Sequence, residues 1–355
     1  MTMKKISKNL LIGIAVIAVL VVSCKKDTLE STSSKADPAA VNKLFDQLDP
    51  ARQTFNIDPT EPNTIKGKDG MVIQIPANAL VDANGNPVSG NVTVSLKEML
   101  SLRDQILTGV TATSDGKILK SGGEFFFEVR DANGQKLNVG SNKSVTFEIP
   151  SNNVDSTMKV FVGVDSVTIE NQKNQFDWKL ADSTLKNMVV DSVPNPNKDS
   201  LNPWVLDSSF VPDCDMQYLF DKYIITVTNL YGSGYYNVDR YVDYSTIEWH
   251  KTCQVNVLGN TDKEDVDFTL KVVYKKYSSV GWFTNSGVVT TTMEIDTYEE
   301  WVTGEDVIVV VIGVGKKSNK TYFGKTELKI AADSKPVISI SSVSNDELMA
   351  ALSNL

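Results

Sequence analysis

The sequence has 355 residues, with 44 acidic and 35 basic side chains and a formal net charge of −9 at pH 7. A chain this acidic lacks the basic stripe of a nucleic-acid-binding surface, so no nucleic acid is expected among its partners. The single histidine, His250, excludes a histidine-rich metal site and is the one residue on which a Ser-His-Asp triad could be built. We therefore expect no metal and no cofactor.

Residues 1–23 have the pattern of a secretory signal peptide. Three lysines within the first eight residues precede an unbroken apolar run over residues 10–22. That run is shorter than the about 20 residues that a membrane-spanning helix needs. Cys24 follows directly, and residues 21–24 resemble the lipobox of bacterial lipoproteins, in which the cysteine is acylated and becomes the new N-terminus. An uncleaved signal anchor is the alternative.

A lipid on Cys24 would make the membrane a partner and the cell envelope the location. Two or more acyl chains anchor a protein stably. Removing residues 1–23, which carry three lysines and no acid, changes the net charge from −9 to −12. A body this acidic is repelled by anionic headgroups, so the lipid rather than a protein face is the expected membrane contact. The acidic body and the lack of aspartate directly after Cys24 favour the outer membrane.

The other two cysteines, Cys214 and Cys253, form an even pair in an exported chain. An oxidising compartment favours a disulfide between them. Closing a loop of about 40 residues would stabilise the fold by about 3–4 kcal/mol in the chain-entropy model. Two buried free thiols are the alternative.

The chain pattern predicts an all-β protein with two β-sandwich-like domains in tandem and short helices near both ends. Asp37-Pro38 and the apolar spacing after it predict a helix over residues 38–49, docked on the first domain. A capping box at Ser344–Glu347 predicts a C-terminal helix. The expected segments are a lipid-anchored tether (24–53), a first domain (54–190), a Pro-rich linker (191–213) and a second domain (214–355).

Alternating or continuous apolar runs predict the strands, and Asn-Gly turns separate two of them. Asp82–Gly85 and Asp131–Gly134 both read Asp-Ala-Asn-Gly, which favours type I′ hairpins with two positive φ angles. The predicted strands are residues 71–75, 91–98, 124–130, 144–149, 223–230, 266–275, 288–295, 307–313 and 337–340.

Aromatic residues are distributed unevenly, because all Trp and Tyr residues fall at or after Trp178. Tyr and Trp combine an apolar ring with a polar tip, which suits binding surfaces. The densest segment predicts a platform for sugar rings or a partner protein, with Tyr235, Tyr236, Tyr241 and Trp249 as its candidate residues. Ordinary core filling is the alternative.

Residues 67–137 carry a family resemblance. The stretches GMVIQIPANALVDANGNPVSGNVTVSLKEM and ILTGVTATSDGKILKSGGEFFFEVRDANGQKL resemble surface lipoproteins of Bacteroidota-type bacteria. The IQIPANAL portion is also similar to the start of ZU5-type β-sandwiches. The resemblance is confined to residues 67–137 and implies a β-sandwich with a cell-envelope role, without an established activity.

The same resemblances imply two modifications. Some ZU5-type domains cleave themselves with a His and a following Ser or Thr, and only His250-Lys251-Thr252 has that order here, in the other domain and without the apolar middle residue. Bacteria of this type attach O-glycans at Asp-Ser or Asp-Thr before a small or aliphatic residue or Thr. The candidate acceptors are Thr28, Ser156, Ser166, Ser183, Ser192 and Ser200, although Asp-Ser is also a common turn pair.

Three functions are compatible with the sequence. The preferred one is a non-catalytic structural or partner-binding protein of the cell envelope, and the alternative is a glycan-binding accessory lipoprotein that uses the aromatic-rich second domain. The least favoured is an enzyme, by self-cleavage or by paired-carboxylate hydrolysis. Glu98, Asp104, Glu124 and Glu128 are the available acids, and the spacing of the last two is typical of a solvated strand face.

Overall fold

The computed structural model describes residues 37–115, 117–151, 157–166, 175–181, 188–193, 222–230, 234–243, 249–250, 253–259, 261–281, 285–297, 301–331 and 333–355. The described residues are mostly strands that form several antiparallel sheets, and the three helices among them are short. The expected all-β class is therefore confirmed. Within the described residues, no helix has the length and apolarity to cross a membrane.

The three helices are α1 (Pro38–Leu48), α2 (Leu102–Thr108) and α3 (Asn345–Ser353). The strands are β1 (Gln53–Ile57), β2 (Asn63–Lys66), β3 (Val72–Ile75), β4 (Leu80–Val81), β5 (Val92–Met99), β6 (Thr113–Ser114), β7 (Lys117–Arg130), β8 (Asn138–Val139), β9 (Val145–Ser151), β10 (Lys159–Ser166), β11 (Gln175–Leu180), β12 (Met188–Val193), β13 (Lys222–Leu230), β14 (Gly234–Tyr241), β15 (Trp249–His250), β16 (Cys253–Leu258), β17 (Val266–Tyr274), β18 (Ser279–Val280), β19 (Asn285–Val289), β20 (Thr292–Thr297), β21 (Trp301–Val302), β22 (Asp306–Gly315), β23 (Thr321–Lys329), β24 (Val337–Ser339) and β25 (Ser341–Val343).

Two sheets enclose the first core. A seven-stranded sheet has the order β1-β5-β7-β14-β10-β11 with β6 also paired to β7, and a five-stranded sheet has the order β12-β13-β9-β3-β2. Phe125 and Phe127 of β7 point towards Phe147 of β9, with ring centroids 5.0 and 4.9 Å from that of Phe147. Alternate residues of β3, β5, β7 and β9 enter this apolar cluster, as the alternating pattern requires of a β-sandwich.

Strand pairing does not follow the predicted linker at residues 191–213. β13 and β14 lie beyond that linker, yet β13 pairs with β9 and β14 pairs with both β7 and β10. The boundary between 190 and 214 is therefore wrong for these strands, since backbone hydrogen bonding places them in the first sandwich. Proline and polar composition reveals a break in regular structure, but it does not reveal which sheet receives the next strand.

Two further sheets enclose the second core. A six-stranded sheet contains β18-β17-β22-β23-β25 with β19 paired to β17, and a three-stranded sheet has the order β20-β16-β24. Val307, Val309 and Val311 of β22 share an apolar cluster with Val255 and Val257 of β16. The second sandwich therefore lies between these two sheets.

The predicted single strand over residues 288–295 is divided in the structure. β19 ends at Val289 and pairs with β17, whereas β20 begins at Thr292 and pairs with β16. The chain therefore crosses from one sheet to the other, as corners of sandwiches do. Gly259 packs against this corner, because a Cβ there would lie 2.0 Å from the Thr290 carbonyl oxygen.

All three helices contribute to an apolar layer on the outer face of the six-stranded sheet. Val41, Leu44 and Phe45 of α1 join Ile308 and Val310 of β22 in one buried cluster, together with residues of α2 and α3. The expected docking of α1 on the first domain is therefore wrong. The side chains of β22 are apolar on both faces of the sheet. A central strand of this kind needs a packed layer on each face, and α1 supplies part of the outer one.

The two Asp-Ala-Asn-Gly turns have one construction, but it is not type I′. In the first, Gly85 N donates to Asp82 O over 3.1 Å and only Gly85 has positive φ. Asp82 Oδ1 accepts from Asn84 N and Asn86 N, which favours this turn over one with Asn84 left-handed. Asp131 and Gly134 repeat the same contacts. The turn positions are confirmed, and the predicted turn type is wrong.

Glu264 holds the loop between β22 and β23. Its Oε1 accepts from the backbone N–H of Lys317 and Ser318, and its Oε2 accepts from the hydroxyls of Ser318 and Tyr322. These hydrogen bonds, above all that from the Ser318 side chain, lower the Glu264 pKa from 4.5 to about 2. The charged carboxylate is therefore the form that stabilises the loop.

Replacing Glu264 by Gln tests this contact through pH. A carboxyl whose folded-state pKa is depressed contributes stability above its unfolded pKa, and that contribution is lost as pH falls through the folded value. We expect Glu264→Gln to unfold at lower urea concentration than the wild type at about pH 7. The gap between the two chains should shrink as pH falls from 4.5 to about 2. Glu327→Gln, an exposed change, serves as the control, and a gap independent of pH would contradict the assignment.

Candidate functional site

Several predicted modification sites lie outside the described residues. They are Cys24, Thr28, Ser156, Ser183, Ser200 and Cys214, together with Lys251 and Thr252 of the self-cleavage motif. Of Ser166, Ser192, Trp249, His250 and Cys253 the structure describes the backbone only. The disulfide, the glycan acceptors and the lipid anchor therefore stay predictions.

The aromatic candidates that can be located do not form one exposed row. Tyr236 is 6% exposed and its ring stacks on Phe125 in the first core, so its predicted role in glycan contact is wrong. Tyr235 is half-buried against Phe126. Tyr241 is 38% exposed, and its hydroxyl lies 3.0 Å from Ser114 Oγ. Successive side chains of β14 point to opposite faces of the sheet, so Tyr236 points towards the core whereas Tyr235 and Tyr241 do not.

A polar cleft of about 320 Å³ lies where α2 and the first sandwich meet the second. Its apolar lining comes from Leu100, Leu102 and Pro150. The polar lining comes from Asp69, Ser101, Gln105, Ser121, Ser151 and Ser278. Side chains from both sandwiches and from a helix between them therefore converge on one opening.

The short helix α2 positions one side of the cleft. Ser101 is its N-cap and accepts from Asp104 N over 3.2 Å, and Gly109 ends it in the left-handed conformation. Gln105 donates to the Ser278 carbonyl over 3.1 Å and accepts from Val280 N over 3.0 Å. The helix thus joins the two sandwiches. Sequence analysis missed it, although Ser101 with Asp104 three residues on and a later glycine are the signals of a capped helix.

A β-bulge forms the opposite wall. Asn237 pairs with Glu124 and Asp239 pairs with Ser121, so β7 has one residue more than β14 at Gly122 and Gly123. Gly123 has a φ of +146°, and a Cβ there would lie 2.9 Å from the Ile149 side chain. Only glycine fits this position without strain. Bulges of this kind are enriched beside functional sites.

Three carboxyl groups surround the cleft, and two of them are saturated with hydrogen bonds. Glu98 accepts from Gln53 Nε2, Asp69 N and Met71 N at 2.7–2.9 Å. Asp104 accepts from Ser101 Oγ over 2.6 Å and pairs with Arg103. Asp69 is exposed, and its pKa is raised by partial desolvation and by the charges of Glu98 and Asp104. Among the described acids, Asp69 is therefore the one that lines the cleft and is accessible.

Two more acids lie behind the bulge. Glu124 and Asp239 are completely buried, and burial raises the pKa of each well above its ordinary value. Asp239 also adds its charge to the field at Glu124. Glu128 on the same face is 4% exposed and pairs with Arg130 and Lys136. The predicted solvated face is therefore wrong, because the sheet face that carries Glu124 and Glu128 is covered.

The cover is a small apolar cluster that the sequence did not indicate. Met99, the cross-strand neighbour of Glu124, packs with Leu119, Phe161 and Trp178. Trp178 Nε1 donates to the Thr111 carbonyl over 2.8 Å and ties the covering segment in place. The face of β7 that carries Glu124 is thus covered by a second packed layer and not by water.

Chemically, the accessible Asp69 carboxylate and the hydroxyl groups that line the cleft can accept hydrogen bonds. No group of three or more His, Cys, Asp or Glu side chains in the described part of the chain is placed to hold a metal ion. Comparison with protein-family models, curated proteins and solved structures finds no match to this chain.

Replacing Gln105 by Leu tests whether α2 joins the sandwiches. The substitution keeps the volume but leaves the Val280 N–H and the Ser278 carbonyl without their partner. Buried orphaned groups of this kind cost about 1–3 kcal/mol each. We expect a loss of unfolding free energy in that range in urea denaturation. Gln74→Leu, at an exposed site with one side-chain hydrogen bond, should change stability much less. Equal effects of the two changes would contradict the role of Gln105 in joining the two sandwiches.

Proposed function

We propose that this chain is a lipid-anchored, non-catalytic partner-binding protein of the bacterial cell envelope, and that the polar cleft is its binding surface. The observation that carries the proposal is the cleft itself, an acidic opening built jointly by two sandwiches and α2. Binding sites occur preferentially where structural units meet. Its neighbouring acids and hydroxyls suit a partner that presents hydrogen-bond donors or positive charges.

The N-terminal sequence supports the anchor. A charged start, an apolar run over residues 10–22 and Cys24 directly after it make up a lipoprotein signal. Between Cys24 and the start of α1, residues 25–36 are polar. Twelve residues reach at most about 40 Å when extended. Such a tether would keep the folded body close to its membrane.

The resemblance of residues 67–137 to surface lipoproteins of Bacteroidota-type bacteria supports the same location, the outer membrane. A disulfide between Cys214 and Cys253 belongs to this proposal, because exported chains meet an oxidising compartment. Glycans on Ser156, Ser166, Ser183, Ser192 and Ser200 would likewise require export.

The carboxyl groups support binding rather than catalysis. Glycoside hydrolysis needs two facing, accessible carboxyl groups. Among the acids described around the cleft, Glu98 and Asp104 are buried and occupied by donors, whereas Asp69 alone is exposed. Glu124 and Asp239 lie behind the bulge and do not line the opening. One accessible acid can recognise a cation or a donor but cannot supply both an acid and a base.

Glycan binding is the second candidate, and Tyr241 is the observation that favours it. Its exposed ring packs edge-on against Phe161, with centroids 5.4 Å apart, and Lys117 lies above it. A ring held in this way can stack on a sugar. Tyr235, which is half-buried, could contribute its edge.

Replacing Cys24 by Ala tests the anchor in the producing cells. Cells grown with radiolabelled palmitate should label the wild-type chain, and the Cys24→Ala chain should lose the label and leave the membrane fraction. The lipid would be attached through a thioether to the Cys24 sulfur. A Cys253→Ala chain keeps that sulfur and should keep the label. Unchanged labelling and partitioning of Cys24→Ala would contradict the proposal.

Replacing Asp69 by Arg tests the cleft. With the detergent-solubilised mature chain as bait for an envelope extract, we expect the wild type to retain a partner that Asp69→Arg releases, because a bulky cation enters an acidic opening. Glu61→Arg, which makes the same charge change on a neighbouring turn, should retain it. Capture of nothing by the wild type, or equal capture by all three chains, would contradict the proposal. A glycan array with the same chains measures the second candidate.

A further inference from the structure

The buried acids Glu124 and Asp239 lie on neighbouring strands at the β7 bulge. Asn237 connects them, since its Nδ2 is 2.5 Å from Asp239 Oδ2 and 3.4 Å from Glu124 Oε1. Ser121 Oγ is 3.5 Å from Asn237 Oδ1. Two carboxyl groups, one amide and one hydroxyl therefore share a small region in which only the residue with the hydroxyl, Ser121, has any exposed surface.

The hydrogen bonds of this region favour charged carboxylates. Asp239 Oδ1 accepts from Gly122 N over 3.3 Å, and Asp239 Oδ2 accepts from Asn237. A proton on either oxygen would displace one of these donors. Glu124 Oε2 has no hydrogen-bond partner among the described residues. A proton there would be a buried donor without an acceptor, which is also unfavourable.

No positive side chain of the described residues compensates these acids. Desolvation and the charge of Asp239 are what act on the pKa of Glu124, and for Asp239 the causes are desolvation and hydrogen bonds from Ser121, Gly122 and Asn237. Buried charges in proteins are otherwise paired or bound to metal ions. The two acids therefore lack a positive charge to offset them, and the groups around them that could bind one are oxygen atoms.

We propose that Glu124, Asp239, Asn237 and Ser121 form a calcium-binding site. Only oxygen ligands are offered, which suits a hard cation and not zinc or copper. Calcium accepts irregular geometry and bidentate carboxylates, whereas magnesium demands a near-octahedral set. The Asn237 amide would turn to present Oδ1, since its nitrogen and oxygen are interchangeable in shape. Water from the cleft, whose wall contains Ser121 and Gly122, would complete the coordination.

This site differs from the expectation of no metal, and the sequence could not show it. Glu124 and Asp239 are more than a hundred positions apart, and two acids alone fall short of any ligand motif. Bound calcium would fix β7 to β14 at the bulge and so hold the cleft wall. The site would exist whether or not the cleft binds a partner.

Calcium binding by the mature chain in detergent tests the site. After removal of divalent ions with a chelator, equilibrium dialysis with radioactive calcium should show one ion bound per chain, and thermal unfolding should shift upwards with calcium concentration. Glu124→Gln and Asp239→Asn should each weaken binding at least about 10–100-fold, as ligand-shell changes do. Both variants should keep the wild-type circular dichroism, because each removes a buried charge.

Asp82→Asn is the matched control. It removes an acid from an Asn-rich turn that also has oxygen atoms at short spacing, and it should bind calcium like the wild type. Absence of bound calcium in the wild type would overturn the site. So would binding that survives Glu124→Gln, or that is lost in Asp82→Asn. A wild type that binds no calcium but loses stability as pH rises, unlike Glu124→Gln, would identify a buried protonated acid instead.

Discussion

Burial of both faces of β22 is the constraint on which the rest of the fold depends. One face packs against the three-stranded sheet and forms the second sandwich, and the other face packs against the helices. The chain supplies this cover from three distant places: α1 near the tether, α2 from within the first sandwich, and α3 at the C-terminal end. Because α2 belongs by sequence to the first sandwich, the cover also joins the sandwiches, and the polar cleft is formed at that junction.

The carboxyl groups of this protein have two kinds of surroundings. Glu98 and Glu264 are surrounded by N–H and O–H donors and hold a turn or a loop. Such carboxylates are stable because hydrogen bonds replace the lost water. Glu124 differs: among the described residues only Asn237 donates to it, over 3.4 Å, and burial together with the charge of Asp239 raises its pKa. The contrast separates acids that hydrogen bonds stabilise from the pair for which we propose a bound cation.

The location of the cleft connects the architecture to the proposed role. A body held by a short polar tether would present its sheets and loops near a membrane, where exported partners and glycans are found. The bulge at Gly122 and Gly123 gives the cleft a backbone wall, and the same bulge places Asp239 against Gly122 N. Binding at the surface and any ion behind it would therefore act on one segment of β7.

Local patterns in the sequence were sufficient for the elements that depend on near neighbours. The capping box at Ser344, the helix after Asp37, the strands β3, β5 and β9 and the second half of β7 follow from periodicity and from hydrogen bonds over three or four residues. Sheet membership of β13 and β14, the docking of α1 and the burial of Glu124 were decided by tertiary structure. These depend on which distant segments of the chain meet, and neither periodicity nor composition carries that information. The cleft belongs to this second group, since its residues come together only after both sandwiches and α2 have packed.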